Sequence, residues 1–357
     1  RFKYSVQYSS TMNTRTLTRV LSIRTLEFKN PIISIQKMND NYTHVENNVF
    51  YITENIMGPF EQSAEYNQLF NNFHSQYNEQ CSCNEICSQE ICKCLQNSCG
   101  DNYLTYQKDG QLKYKFKPKA KSYPILECND SCSCSIDCGN RVVQKGPVEG
   151  LEIRSCDKGF GLFATCFIPS GTFICEYAGE IITTNQASIR QHNNKTQGKR
   201  NYIFYLRELS SDQPIVTIID PSIFGNIGRY INHSCEPNCL VTPVRCGSPM
   251  PKLAIFACED ISPNEEVTFH YGLNDDVNLQ TVSDRIRCLC NTKSCRGVIP
   301  FQYVAELNTL FRIFTQLQKE VHSCILMCIS NAVSKVKISN KQTPMGQKLS
   351  DNLVVKH

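Results

Sequence analysis

The stretch from residue 229 to residue 238 concentrates side chains that could form a chemical site. It reads Arg-Tyr-Ile-Asn-His-Ser-Cys-Glu-Pro-Asn. Asn232 and His233 offer directional hydrogen bonds, and Cys235 offers a thiolate that could bind a metal ion. The Glu-Pro-Asn sequence is a turn signal. Taken alone, the stretch also fits a buried histidine and a structural cysteine near a turn, so the rest of the chain decides between the two interpretations.

Cysteine is the second chemical signal. The chain contains 22 cysteines among 357 residues, and thirteen of them lie in tight clusters. Two thiols in a Cys-x-Cys pair can bind one metal ion together, whereas a disulfide between them would be strained. A secreted disulfide framework is the alternative, but residues 1–30 lack the pattern of a signal peptide. Although a signal could precede residue 1, we expect an intracellular protein that binds zinc.

Nine of these cysteines occur between residues 81 and 138. They are Cys81, Cys83, Cys87, Cys92, Cys94, Cys128, Cys132, Cys134 and Cys138. Three tetrahedral zinc ions need about twelve ligand positions, and nine thiolates supply that number when three of them bridge two ions each. The count therefore fits a three-zinc cluster, with two separate four-cysteine sites and spare thiols as the alternative. Cys99 could be a tenth ligand.

A smaller cysteine group follows near residue 290. Cys288, Cys290 and Cys295 supply three ligands, but a closed structural zinc site needs a fourth. We expect Cys235 to complete the site, which would bring this part of the chain back to the stretch 229–238.

Short strands must position these residues. Segments of four to eight residues, bounded by Gly, Pro, Asn or Asp, occur at 151–154, 161–165, 172–177, 202–206, 215–219, 253–257 and 266–269. Only residues 185–193 are typical of a helix in this region. The predicted strands do not alternate with helices as in βαβ units, and no G-x-G-x-x-G motif follows a strand. We predict a mostly β (α+β) domain made of small, curved sheets.

The flanking regions carry weaker signals. Residues 1–44 have no function that we can assign, and the aromatic, Asn- and Gln-rich residues 61–80 are expected to form a surface linker. The lysines of residues 113–121 alternate with aromatic residues, which favours a solvated strand face over a nucleic-acid contact. Beyond residue 301, apolar residues at helical spacing predict an amphipathic helix, followed by a polar tail that we expect to be disordered.

Charge and composition restrict the partners. The net charge of +4 and the pI near 8.1 are too mild to imply a long-range attraction to nucleic acid. The sequence has neither the two-cysteine, two-histidine spacing of zinc fingers nor a basic recognition helix, so we expect no sequence-specific DNA binding. The apolar run 324–329 is too short to span a bilayer, and no membrane partner is expected. The oligomeric state stays open.

Five ordered motifs resemble those of SET-domain protein-lysine methyltransferases of the suppressor-of-variegation class, which combine a nine-cysteine pre-SET module with a three-cysteine post-SET module. The motifs lie at residues 127–146, 159–161, 176–180, 229–238 and 269–271, and the resemblance covers roughly residues 45–301. Residues 226–229 and 251–257 look most similar to the methyltransferase half of SET-and-mariner-transposase fusion proteins.

The resemblance implies a SET-domain fold of small curved sheets with a threaded C-terminal segment, flanked by zinc modules. We expect a region of unassigned role at 1–44, a pre-SET module with three zinc ions at 45–148, the SET catalytic domain at 149–272, a post-SET module with one zinc ion at 273–301, and a C-terminal helix and tail at 302–357. In the threaded arrangement, Tyr271 lies beside Asn232 and His233.

The resemblance also implies a reaction, the transfer of a methyl group from S-adenosylmethionine to a lysine amine. The implied channel residues are Tyr177, Tyr202, Phe204 and Phe269, with the Tyr271 hydroxyl orienting the amine. The implied cofactor residues are Lys158, Gly159, Phe160 and Gly161 at the methionine part, Arg229, Asn232 and His233 at the adenosine end, and also Tyr202. Aromatic packing in a core is the alternative interpretation of Tyr202 and Phe204.

The expected substrate is a histone tail or a nucleosome, most simply histone three at lysine nine, in the nucleus on the chromosome. Lysine thirty-six of histone three is the second choice. Phe269 stands where the class has Phe or Tyr, and its missing hydroxyl implies di- or trimethylation. Phe160 replaces a common Trp, and His270 replaces a usual Asp. These departures motivate an alternative, a catalytically weak, zinc-stabilised chromatin-interaction module.

Overall fold

The computed structural model describes residues 40–300, except for 78–79, 85, 109–110, 119–123, 209–214 and 273–285. The predictions for residues 1–39, for the C-terminal helix and for the tail therefore lie outside the described residues. In the described part, no helix is both long enough and apolar enough to cross a membrane.

The described chain folds mainly into short strands. The strands are β1 (Phe50–Tyr51), β2 (Ile56–Met57), β3 (Tyr103–Lys108), β4 (Gln111–Phe116), β5 (Ile125–Leu126), β6 (Leu151–Cys156), β7 (Gly159–Ala164), β8 (Phe173–Glu176), β9 (Glu180–Ile182), β10 (Phe204–Glu208), β11 (Ile215–Asp220), β12 (Phe224–Gly225), β13 (Asn232–His233), β14 (Cys239–Arg245), β15 (Lys252–Ala257) and β16 (Thr268–Phe269). The helices are α1 (Ala64–His74), α2 (Lys93–Asn97) and α3 (Thr184–Thr196), with short 3-10 helices at Val143–Lys145 and Ile227–Tyr230. The prediction of a mostly β fold with few helices is confirmed.

The strands form several small sheets. The largest has the order β13-β16-β14-β15-β8, with β5 beside β14, and a four-stranded sheet has the order β10-β11-β9-β2. The pairs β3-β4 and β6-β7 are antiparallel hairpins, and β1 pairs with β12. The main core takes side chains from both larger sheets and from the β6-β7 hairpin, and Leu162, Ile219 and Ile255 are fully buried there.

The seven strand segments predicted between residues 151 and 269 are all present, with ends that differ by two residues at most. The predicted helix corresponds to α3. Its first turn is fixed by a capping box, because the Thr183 hydroxyl accepts from the Gln186 N–H at 3.1 Å and the Gln186 side chain accepts from the Thr183 N–H at 3.1 Å. Helix α3 packs against β11 of the four-stranded sheet.

The prediction of a surface linker at residues 61–80 is wrong, because α1 occupies most of this segment. The Ser63 hydroxyl caps the helix by accepting from the Tyr66 N–H at 3.0 Å. Tyr66 is buried, and Leu69 and Phe73 pack against the main core. This helical spacing is hidden in the sequence by the Asn and Gln residues between the apolar positions.

The basic segment forms β4 of the β3-β4 hairpin, in agreement with the predicted strand face. Phe116 packs inward and stacks on Phe256, with ring centroids 4.6 Å apart. Lys113 and Lys117 are exposed on the other face. The hairpin therefore has one packed face and one solvated face.

A buried carboxylate organises the segment that surrounds the nine cysteines. The side chain of Glu127 is only 2% exposed. Its Oε1 accepts from the Tyr103 hydroxyl at 2.6 Å and from the Val142 and Val143 N–H groups at 2.8 Å. Its Oε2 accepts from Nε2 of Gln144 at 2.8 Å. One side chain therefore satisfies four donors that have little access to water.

We expect Glu127→Ala to destabilise the protein strongly, because it leaves these buried donors without an acceptor. Unsatisfied groups of this kind should lower the free energy of unfolding by about 3–5 kcal/mol in total. The measurement is urea unfolding of the zinc-loaded protein. The matched control is Glu152→Ala, which removes an exposed partner of Arg154 and should change stability by about 0.5 kcal/mol or less. Equal effects of the two substitutions would contradict the prediction.

Candidate active site

A parallel strand pair brings two distant motifs together. In this pair, β13 lies beside β16, with Asn232 opposite Thr268 and His233 opposite Phe269. Tyr271 follows β16 directly, and its backbone N–H donates to Nδ1 of His233 at 3.2 Å. The structure therefore places Tyr271 beside β13, which is the position that the threaded arrangement implies.

Aromatic rings pack around one end of the site. The ring centroids of Tyr177, Phe204 and Phe269 are 5.8 to 5.9 Å apart in all three pairs. Tyr271 adds a fourth ring, 4.9 Å from that of Phe269. Because these rings come from β8, β10 and β16 and the residues next to them, the two larger sheets together position the group.

Two hydroxyl groups within this aromatic group are fixed by backbone carbonyls. The Tyr271 hydroxyl donates to the Ile231 carbonyl at 2.9 Å, and the Tyr177 hydroxyl donates to the Tyr202 carbonyl at 2.6 Å. Burial raises the pKa of Tyr271 and raises that of Tyr177 well above its ordinary value. Both phenols therefore stay protonated at neutral pH and act as hydrogen-bond donors rather than as bases.

His233 connects the aromatic group with a cysteine. Burial lowers the pKa of His233 to about 4, with a further contribution from His270, so the imidazole is neutral at physiological pH. Its Nδ1 accepts from the Tyr271 N–H, which leaves the proton on Nε2. This Nε2 lies 3.5 Å from Sγ of Cys235 and donates toward it. One ring thus contacts both the channel and the smaller cysteine group.

The β6-β7 hairpin forms another wall. The Asn232 amide donates to the Phe160 carbonyl at 3.0 Å, which holds the start of β7 against β13. Gly161 has no room for a side chain, because an added Cβ would lie 2.8 Å from Oε1 of Glu266. Lys158 pairs with Oε2 of the same carboxylate at 2.5 Å. These contacts hold the β6-β7 turn against Asn232 and Glu266.

Glu266 is a site residue that the sequence did not reveal. Its two carboxylate oxygens hold Lys158 and the amide of Asn232, the latter at 2.8 Å. These partners are 108 and 34 positions away in the chain. The available signal was one acidic residue within a predicted strand segment, which is too common a feature to indicate a site.

Arg229 lies in the wall and is engaged by protein groups. Its guanidinium pairs with Glu46, and its Nε donates to the Pro221 carbonyl at 3.1 Å. The guanidinium carbon also lies 4.3 Å from the centre of the Tyr202 ring. Arg229 therefore fixes the orientation of Tyr202, a predicted channel and cofactor residue.

These groups surround a cavity of about 280 Å³. Its lining includes the predicted channel residues Tyr177, Tyr202, Phe204, Phe269 and Tyr271, and the predicted cofactor residues Lys158, Phe160, Arg229, Asn232 and His233. Gly159 and Gly161 lie behind this lining, in β7. Residues 286–289 and 299–300 also line the cavity. The site thus joins an aromatic end to a wall rich in hydrogen-bonding groups.

The nine cysteines predicted to bind zinc come together in one buried cluster. Sγ of Cys128 lies 3.8 to 3.9 Å from those of Cys81, Cys87 and Cys92, and Sγ of Cys94 lies 3.6 Å from that of Cys132. Several sets of four Sγ atoms lie within 4.8 Å of one another, and Cys81 belongs to three of them. All nine are free thiols. Shared membership of this kind is what bridging ligands require.

The four cysteines of the smaller group also meet. The Sγ atoms of Cys235, Cys288, Cys290 and Cys295 all lie within 4.8 Å of one another. The Arg296 N–H donates to Sγ of Cys235 at 3.5 Å. Four sulfur atoms at this separation suit a tetrahedral ion such as zinc, and the group borders the cavity through Cys288.

Comparison with known proteins agrees with this architecture. A SET domain model matches residues 159–272, and a Pre-SET motif model matches residues 25–141. The fold and the site therefore define a SET-domain protein. The probable histone-lysine N-methyltransferase set-23 of Caenorhabditis elegans is 37% identical over 256 residues, which are 70% of this chain and 95% of that protein. The chain belongs to the SET-domain histone-lysine N-methyltransferase family.

The human histone-lysine N-methyltransferase SETMAR is 40% identical over 226 residues, 60% of this chain. The match spans 32% of that protein. The crystal structure of its methyltransferase domain aligns with a TM-score of 0.58 and 35% identity, covering 71% of this chain and 90% of that chain. KRYPTONITE was crystallised with mCHH DNA, an H3(1–15) peptide and SAH. It aligns with a TM-score of 0.53 and 25% identity, and the alignment covers 74% of this chain and 50% of that chain.

Proposed function

We propose that the protein is an S-adenosylmethionine-dependent N-methyltransferase that acts on a lysine of a histone tail. One observation carries the proposal: the Tyr271 hydroxyl lies where the aromatic group of Tyr177, Phe204 and Phe269 meets the polar wall of the same cavity. A lysine side chain entering through the rings and a cofactor lying against the wall would meet beside this hydroxyl.

The residues of the aromatic group match what the lysine amine needs. S-adenosylmethionine supplies a methyl group on a sulfonium, and the attacking nitrogen must be neutral although free lysine has a pKa of about 10.4. The rings of Tyr177, Phe204 and Phe269 remove water from the ammonium, which lowers its pKa. Their faces also tolerate the positive charge of the methylated product. The Tyr271 hydroxyl orients the nitrogen toward the polar wall.

The polar wall suits the cofactor. Gly159 and Gly161 leave room for the Arg200 guanidinium and the Glu266 carboxylate beside the turn, and Asn232 and His233 hold the surrounding backbone in place. We assign Lys158, Gly159, Phe160, Gly161 and Tyr202 to the methionine part, and Arg229, Asn232 and His233 to the adenosine end. KRYPTONITE was crystallised with SAH, which supports a cofactor of this type for the present protein.

For the particular lysine that is methylated, we follow the usual substrate of the suppressor-of-variegation class. We assign histone three at lysine nine as the substrate, with lysine thirty-six of the same histone or a non-histone protein as the alternative, and place the protein on chromosomes in the nucleus. The H3(1–15) peptide bound to KRYPTONITE supports a site near the histone terminus. A methylation assay on a peptide array that covers the tail of histone three separates the two lysines.

The cysteine clusters would hold four zinc ions, three in the nine-cysteine pre-SET cluster and one in the smaller, post-SET group. Thiolate groups without carboxylate ligands favour zinc over magnesium or calcium. Since the smaller group borders the cavity and contacts His233, its zinc would stabilise the site as well as the fold.

The direct test of the function is incubation with isotope-labelled S-adenosylmethionine and core histones. Label on a histone supports the proposal. The His270 ring lies 4.9 Å from that of His233, a departure beside the site that favours the alternative of a catalytically weak chromatin-interaction module. The absence of all transfer, including automethylation, would leave that alternative standing.

We expect the wild-type protein to form di- and trimethyl-lysine, because Phe269 has no hydroxyl to hold a water molecule beside the amine. Phe269→Tyr adds this hydroxyl at a position that is only 1% exposed. The share of trimethyl product should fall roughly tenfold or more, the discrimination that the space of one methyl group can give. Mass spectrometry of the peptide product measures the change.

The control is Phe167→Tyr, which adds the same hydroxyl to a ring that is 49% exposed and lies outside the cavity. Its product distribution should match the wild type. If the wild-type protein itself stops at monomethyl-lysine with abundant cofactor, the assignment of Phe269 is incorrect.

A further inference from the structure

Arg200 lies at the cavity, in the segment that connects α3 to β10, although none of the sequence motifs includes it. The carbon of its guanidinium lies 2.7 Å from the position that a Cβ of Gly159 would take. The φ angle of Gly159 is 98°, in the region that favours glycine. The guanidinium therefore covers the bare backbone of the β6-β7 turn and lines the same cavity as Tyr271.

The charge of Arg200 differs from two of the three other cations that line the cavity; the third, Arg287, also has no ion pair among the described residues, but only Arg200 lies against Gly159. Lys158 is paired with Glu266 and Arg229 with Glu46. Within the described residues, the guanidinium of Arg200 has no hydrogen bond or ion pair, and Asp157, which lines the same cavity, does not pair with it. An unpaired guanidinium at a cavity wall is free to bind an anionic group of a ligand.

The ligand of the proposed function offers one such group. At neutral pH, S-adenosylmethionine carries a sulfonium, an ammonium and one anion, the α-carboxylate, whose ordinary pKa is about 3.5. Arg200 is exposed, so solvent screens part of its charge, but beside a site for two cations this charge would still weaken binding unless that carboxylate neutralised it. The planar fork of arginine also matches a carboxylate with two parallel hydrogen bonds.

We propose that Arg200 binds the α-carboxylate of the methionine part of S-adenosylmethionine. This inference rests on the proposed function and adds a cofactor residue to it. Lys158, which is adjacent in the wall, already serves Glu266 and is not required for this contact.

The test compares S-adenosylmethionine with decarboxylated S-adenosylmethionine, which lacks only the carboxylate. Isothermal titration of the zinc-loaded protein gives both dissociation constants. Arg200→Ala should weaken the binding of S-adenosylmethionine by about 10- to 100-fold, the usual loss for a hydrogen-bonded charge pair. Its affinity for the decarboxylated compound should equal that of the wild type or rise, because this compound carries only positive charges, which the guanidinium repels. Arg200→Lys keeps the charge but loses the paired hydrogen bonds of the guanidinium. Its affinity for S-adenosylmethionine should therefore lie between those of the wild type and of Arg200→Ala.

Lys199→Ala is the matched control, because it removes the adjacent exposed charge, which does not line the cavity. It should bind both compounds like the wild type. The proposal is overturned if Arg200→Ala weakens both compounds equally, or weakens neither, while the wild type binds S-adenosylmethionine. If the wild type binds neither compound, the proposed function itself fails.

Discussion

Tyr271→Phe should reduce methyl transfer about 100-fold or more, while cofactor binding stays close to that of the wild type. The substitution removes one preorganised polar group, because the hydroxyl proton is held by the Ile231 carbonyl and the hydroxyl oxygen is left to accept from the lysine amine. Preorganised hydrogen-bonding groups at a reaction centre commonly contribute about 100- to 1,000-fold to the rate. The hydroxyl is held at 2.9 Å from the Ile231 carbonyl, so it is positioned before the substrate enters. Single-turnover transfer to a histone peptide measures the rate, and titration with SAH measures binding.

Tyr205→Phe is the control for this substitution. Tyr205 lies on β10 next to Phe204, is fully buried, and has a hydroxyl without a hydrogen-bond partner in the described structure. Removing this hydroxyl should leave the transfer rate unchanged and the fold at least as stable. A Tyr271→Phe protein that transfers methyl groups at the wild-type rate would remove Tyr271 from the proposed mechanism.

Cys128→Ser should remove the three zinc ions of the nine-cysteine cluster and unfold the region around it. The Sγ of Cys128 has three sulfur neighbours within 3.9 Å, so its loss affects several ligand sets at once. Structural zinc contributes about 10–16 kcal/mol in small zinc-binding peptides, whereas whole domains are stable by only about 5–15 kcal/mol. Metal content is measured by mass spectrometry, and folding by circular dichroism.

Cys99→Ser provides the comparison, because Cys99 is exposed and belongs to none of the four-sulfur sets. It should retain all four zinc ions and the wild-type stability. A wild-type content of two zinc ions or fewer would refute the ligand assignment. A Cys99→Ser protein with a lower content would make Cys99 a ligand after all.

Local spacing made the cysteine clusters and seven strands between residues 151 and 269 predictable from the sequence. Cys-x-Cys pairs and strands bounded by turn residues are signals that act over a few positions. Helix α1 was missed because Leu69 and Phe73 are separated by polar residues that hide the helical period. The segment is helical because these two side chains pack on the main core, and composition alone does not indicate this.

Residues whose role depends on chain topology could not be found in this way. Glu266 meets Lys158 and Asn232 only because β16 runs parallel to β13. Arg200 has no pattern around it, and its position follows from the way that the connection after α3 passes over Gly159. Such contacts join positions that are far apart in sequence, where neither periodicity nor spacing carries information.

The lining of the cavity extends along the chain from Glu46 to Pro300. During synthesis, the binding chamber therefore cannot be completed until nearly all of this span has left the ribosome. A fragment that lacks either end of this span should also be inactive, because a cut inside the span removes a wall. Competence for the reaction therefore requires the whole span from residue 46 to residue 300, and a chain that is cut within it has no partial version of the site.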